Sequence, residues 1–103
     1  AVFFAFGHTL LEEMVYEDGQ LLNPNLIDYR VPTFCHLPKE FYSILIENGN
    51  GPGPFGSKGM GEGGLLPVAS AIANAVSKAV GVRIFDLPIT PVKVWRALQE
   101  KKL

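Results

Sequence analysis

An α+β fold, with a hairpin, short β-strands and about three helices, is what three features of the sequence predict. Near the start, Asp18-Gly19 separates two short apolar runs; an alanine-rich segment, Pro67 to Val80, is closed by Gly81; and Thr90-Pro91 opens a last helical segment. The 103 residues are expected to form one domain, 1–103, large enough to bury a core of its own.

The first element is read as a helix. Phe3, Phe6, Leu10 and Met14 fall near one side of it and Phe4 and Leu11 near another, so it must be buried on more than one side. Gly7 lowers its helix propensity while allowing close packing, and Glu12-Glu13 end the apolar run. Val15-Tyr16-Glu17 and Gln20-Leu21-Leu22 then flank Asp18-Gly19, whose residues tolerate the positive φ of a type I′ turn, which predicts a hairpin. After the break at Asn23-Pro24-Asn25, Leu26 to Val31 is read as extended, with Asp28 and Arg30 on one side as an ion pair.

Phe41 to Glu47, rich in aromatic and β-branched residues, is the clearest strand expected, and it leads straight into a glycine-rich loop. Pro67 to Val80 favours a slim helix, with Gly81 at C′ and Lys78 complementing the dipole in the last turn. Val82 to Asp86 is read as a strand. Thr90 is then an N-cap, with Pro91 in the first turn where its missing amide costs nothing. Pro91, Trp95 and Leu98 share a face, which makes Trp95 a core anchor, while Lys93 and Arg96 turn away.

Composition excludes several classes of function. A net charge of −1 gives no electrostatic footprint for nucleic acid or an anionic membrane. The apolar run Ala1 to Leu11 is about half of what spans a bilayer and lacks a basic leader start. Cys35 is the single cysteine, which fits a reducing, cytoplasmic compartment. Cys35, His36 and His8 lack the spacing of a compact metal site, so no metal ligands are assigned and a structural role is read for all three. The start at Ala1, inside an apolar element, suggests a piece of a longer polypeptide.

The stretch Gly51 to Gly64 combines seven glycines with one carboxylate, Glu62, immediately before the alanine-rich helix. A carboxylate held within hydrogen-bond reach of a reacting group can take its proton, and partial removal from water tunes it toward neutral pH. Glycines 61, 63 and 64 would permit backbone angles closed to other residues and let a flat group approach the main chain. The free amides at the start of the helix would favour an anionic group nearby. The plain alternative is a mobile surface loop with a solvated acid. A nucleotide-binding loop is not supported, because Ser57-Lys58 reverses the Lys-Ser/Thr order and Pro52 and Pro54 remove two amide donors.

Gly53-Pro54-Phe55-Gly56-Ser57-Lys58-Gly59-Met60-Gly61-Glu62, with the segments Pro67 to Val76 and Leu87 to Pro91, resembles the C-terminal end of the molybdopterin-binding large subunit of the xanthine dehydrogenase and aldehyde oxidase family. Leu22 to Asn25, Asp28 to Thr33 and Gly7 to Glu13 resemble it too, so the likeness covers nearly the whole chain as a fragment of a larger molybdopterin-binding domain. The resemblance implies an oxidoreductase that hydroxylates an aldehyde or N-heterocycle at a molybdenum centre, with water as the oxygen source. In that chemistry a glutamate deprotonates the metal's hydroxyl ligand, the oxygen attacks substrate carbon and a hydride moves to a sulfido ligand. Glu62 occupies the glutamate's position and is thus the catalytic residue expected.

The cofactors implied are molybdopterin in the full-length enzyme and iron-sulfur clusters and FAD on other domains or subunits. The partners are the remainder of the large subunit, those electron-transfer parts and a small-molecule substrate. The fragment alone is expected to carry no cofactor, to be inactive and to self-associate, chiefly through Ala1 to Met14. Phe4-Ala5 replaces a common Gln-Gly of the family, and Gly63-Gly64 replace a proline or serine after the glutamate. The alternative function is a non-catalytic assembly or interaction domain that retains the family fold.

Overall fold

A computed structural model describes residues 1–101. In chain order it contains α1 (Val2–Leu10), β1 (Tyr16–Glu17), β2 (Gln20–Leu21), α2 (Val68–Val80) and α3 (Pro91–Glu100), with single 3-10 turns at Phe34–His36 and Pro54–Gly56. The α+β class with three helices and one hairpin is therefore borne out.

The centre of packing is α1, which lies against α2. Its buried residues are small, Ala5, Gly7 and Thr9. Gly7 leaves no room for a side chain, because an added Cβ would stand 2.6 Å from Pro32 Cδ and would strike the Glu12 carboxylate. Thr9 turns its hydroxyl back onto the Ala5 carbonyl at 2.5 Å. Its own carbonyl accepts from the Ile89 amide at 2.7 Å, which brings buried Pro88 and Ile89 onto the helix. The Phe3 and Phe6 rings stack at 5.7 Å. Burial on several sides is met only in part, since Phe4 is 76% exposed.

The hairpin forms as expected, with Tyr16 opposite Leu21 and Glu17 opposite Gln20, and with φ of 48° at Asp18 and 81° at Gly19. Asn23 ties its base: the side chain donates to the Glu13 carbonyl at 2.7 Å and accepts from the Val15 amide at 2.9 Å.

Three extended segments are corrected. Leu26 to Val31 begins as a turn, with Asn25 Oδ1 accepting from the Ile27 amide at 3.0 Å and the Asn25 carbonyl from the Tyr29 amide at 2.9 Å. The asparagine side chain offers the backbone a local partner that an extended strand would forgo, and the same-side geometry of Asp28 and Arg30 goes with it. Among the described residues, Phe41 to Glu47 and Val82 to Asp86 belong to no ladder. A strand needs a neighbour to pair its amides and carbonyls, and β-propensity cannot supply one.

The two later helices are terminated as expected. Gly81 adopts φ 72° and gives its amide to the Ser77 carbonyl at 2.8 Å. The Lys101 ammonium also reaches the Gly81 carbonyl, at 2.9 Å. Thr90 Oγ1 accepts from the Lys93 amide at 3.3 Å, with Pro91 following it. The facing of α3 is corrected: Trp95 is 61% exposed, whereas Lys93 is half-buried and donates to the Leu87 carbonyl at 3.1 Å. The described residues leave most of the Trp95 face uncovered.

The radius of gyration is 17.6 Å. A compact chain of this length would have about 13 Å. Among the described residues, no helix is long and apolar enough to cross a membrane.

Candidate functional site

Glu62 stands in a run of turns, residues 61–67, that leads into α2. Its carbonyl accepts from the Leu65 amide at 2.9 Å, the Leu65 carbonyl from the Val68 amide at 3.3 Å and the Pro67 carbonyl from the Ala71 amide at 3.0 Å. The main chain at Glu62 is thus fastened on its downstream side, while its side chain is exposed. Gly64 lies against α1, with its Cβ position 3.5 Å from Val2 and 3.7 Å from Ala1. That contact sets the Glu62 turn at the start of the first helix.

The glycines divide by task. Positive φ in the loop falls on Phe55 (56°) and Gly56 (74°), and on neither Gly61, Gly63 nor Gly64. The backbone freedom that those three glycines would permit is not drawn on as positive φ. They contribute the missing side chain instead: a Cβ at Gly59 or Gly61 would have no heavy atom within 4 Å, and one at Gly63 would meet only Met60 Sδ at 3.6 Å.

Upstream, the loop is closed on itself. Gly51 donates to the Gly56 carbonyl at 3.0 Å, Gly53 to that of Ser57 at 3.1 Å, Gly56 to that of Gly53 at 3.0 Å and Ser57 to that of Pro54 at 3.1 Å. With those amides engaged internally and two positions occupied by proline, this stretch has few donors left for a phosphate. The Lys58 ammonium crosses the loop's base to donate to Asn48 Oδ1. Ile44, Ile46, Asn48, Phe55, Lys58 and Met60 line an open groove beside the loop, and Glu62 does not line it.

Away from the loop, the Tyr29 hydroxyl donates to Glu12 Oε2 at 2.6 Å. That bond, then burial, then the Glu12 charge hold the Tyr29 phenol above its usual pKa. His36 Nδ1 accepts from the Thr33 amide at 3.1 Å, capping the start of a 3-10 turn, and the neighbouring Cys35 is exposed. Among the described residues no three His, Cys, Asp or Glu side chains are grouped to hold a metal ion. The Asn48–Lys58 and Glu12–Tyr29 links were missed in the sequence, where nothing in their spacing marks them as partners.

A family described as molybdopterin cofactor-binding domain matches residues 1–38. Over 91 residues the chain is 42% identical to the xanthine dehydrogenase molybdenum-binding subunit of Escherichia coli O157:H7, a match covering 86% of this chain and 12% of that one. Over 102 residues it is 38% identical to the aldehyde oxidoreductase molybdenum-binding subunit PaoC of Escherichia coli K12, covering 97% of this chain and 14% of that one. In structure it is similar to quinoline 2-oxidoreductase from Pseudomonas putida 86, with a TM-score of 0.81 and 37% identity over 96% of this chain and 13% of that one. The chain therefore spans 12% to 14% of the length of these relatives.

Proposed function

The chain belongs to the molybdopterin-binding subunits of the xanthine dehydrogenase and aldehyde oxidase family, and from that premise we propose that it is the part of a molybdenum hydroxylase that supplies the general base, Glu62. The observation that carries this reading is the setting of Glu62, an exposed carboxylate on a turn fastened at its downstream end and flanked by glycines. No other acid of the chain lies in the glycine stretch.

The residues fit a molybdopterin cofactor in one respect, the empty space over Gly59 and Gly61, where a flat group can approach the main chain without meeting a Cβ. When bound, that cofactor supplies the two-electron redox chemistry. Glu62 accepts a proton on a carboxylate oxygen from the water-derived nucleophile, which leaves the oxygen more reactive toward substrate carbon. The backbone at Gly61 and Gly63 keeps side chains out of the approach. On this reading the substrate is an aldehyde or N-heterocycle. The remainder of the large subunit, with iron-sulfur and FAD domains or subunits, completes the site and removes the electrons. Residues 1–103 alone are then inactive.

The test is Glu62→Gln in the full-length, molybdenum-loaded enzyme. The expected result is a fall in kcat of about a hundredfold or more, at unchanged molybdenum content. A rate equal to the unsubstituted enzyme's would remove the base and favour the second reading, an assembly or interaction domain that keeps the family fold. The feature favouring that second reading is the exposed apolar segment Phe41 to Ile46.

A further inference from the structure

We infer that Lys58 is a positioning residue which, through Asn48, fixes the upstream end of the segment that presents Glu62; this rests on the reading of Glu62 as the base. Three observations converge on it. The Lys58 ammonium donates to Asn48 Oδ1 across the mouth of the loop, a charge-assisted bond. The Lys58 stem lies over Gly51, where an added Cβ would meet Lys58 Cγ at 2.5 Å and would strike the Ser57 and Gly56 carbonyl oxygens. Between the two clamped residues, the amides of Gly51, Gly53, Gly56 and Ser57 bond within the loop.

Residues 48–58 therefore form a closed unit rather than a free arm. Beyond Lys58 the chain changes character. A Cβ at Gly59 or Gly61 would touch nothing, and the next backbone bond accepted is by the Glu62 carbonyl. Glu62 is thus carried on a short tether, residues 59–61, that makes no backbone bond among the described residues and runs between the closed unit ending at Lys58 and the turn before α2. If the Lys58 end is released, the carboxylate wanders, and a displacement of about 1 Å in a reacting group can cost on the order of a hundredfold in rate.

The experiment uses the full-length, molybdenum-loaded enzyme and two single variants that break the same bond from opposite sides. Lys58→Met keeps the stem on Gly51 and removes the donor, and Asn48→Ala removes the acceptor. Each is expected to raise hydrogen exchange at the Gly51, Gly53, Gly56 and Ser57 amides by about tenfold. Each should lower kcat by about tenfold with KM changed less than about twofold. The double variant should do no more than either single one, and Lys58→Arg should retain protection and rate. Unchanged exchange, raised exchange with unchanged kcat, or effects of the two variants that add would each overturn the assignment. Glu62→Gln, run alongside, should lower kcat with exchange at those amides unchanged. If it leaves kcat intact, the base reading fails, while the exchange pattern still decides whether the clamp exists.

Discussion

At the scale of the residue, the most constrained positions are those where one side chain excludes another. Gly7 has Pro32 and the Glu12 carboxylate against it, so Gly7→Ala overpacks the contact. The expected loss is about 1–3 kcal/mol, read from the denaturant midpoint of the full-length protein. Tyr29 offers a pH-dependent counterpart. Its folded pKa is raised, foremost by the bond to Glu12, so the neutral phenol is the form the fold favours. Its contribution to stability is fully present below the ordinary tyrosine value of about 10 and is lost as pH rises through the higher folded value. Melting temperatures taken across that alkaline range should fall for the unsubstituted chain and lose this component in Tyr29→Phe; identical profiles would refute the coupling. The sequence showed that Gly7 permits close packing but did not show Pro32 as the group that packs there. The proposal for Glu62 starts from the ordered residues around it, whereas the Lys58 contact has no such signal, because a bond across a loop mouth depends on how the intervening backbone closes.

At the scale of the element, local chemistry proved readable and pairing did not. Asp18-Gly19 specifies the hairpin and Gly81 stops α2 within its own few residues, as Thr90 starts α3. Gly81→Ala should therefore cost about 1 kcal/mol in thermal unfolding, because its φ of 72° is disfavoured once a Cβ is present. Thr90→Ala should cost about the same through loss of the cap to the Lys93 amide. Phe41 to Glu47 and Val82 to Asp86 have the composition of strands, yet strand formation is a statement about a neighbour. Trp95 failed for the same reason. Its face is apolar by sequence, but a face is buried only where a second surface meets it.

At the scale of the whole molecule, the expanded shape and the open apolar positions are one fact seen twice. Ile44, Leu45 and Ile46 are each more than 80% exposed on a segment whose backbone is unpaired among the described residues, a form that invites edge-to-edge association. The 103-residue chain by itself is expected to self-associate in light scattering, with more weight on this segment than on Ala1 to Met14. Replacing Ile44 and Ile46 by lysine should shift it toward monomer, and a monodisperse unsubstituted chain at high concentration would refute the expectation. The bond from the Ile89 amide to the Thr9 carbonyl bears on time as well as shape. A ribosome adding about 5–20 residues per second makes the helix several seconds before it makes the residue that closes on it. For that interval the Thr9 carbonyl lacks its distant partner, so a nascent chain halted in the glycine loop carries α1 unsealed until Ile89 has been made.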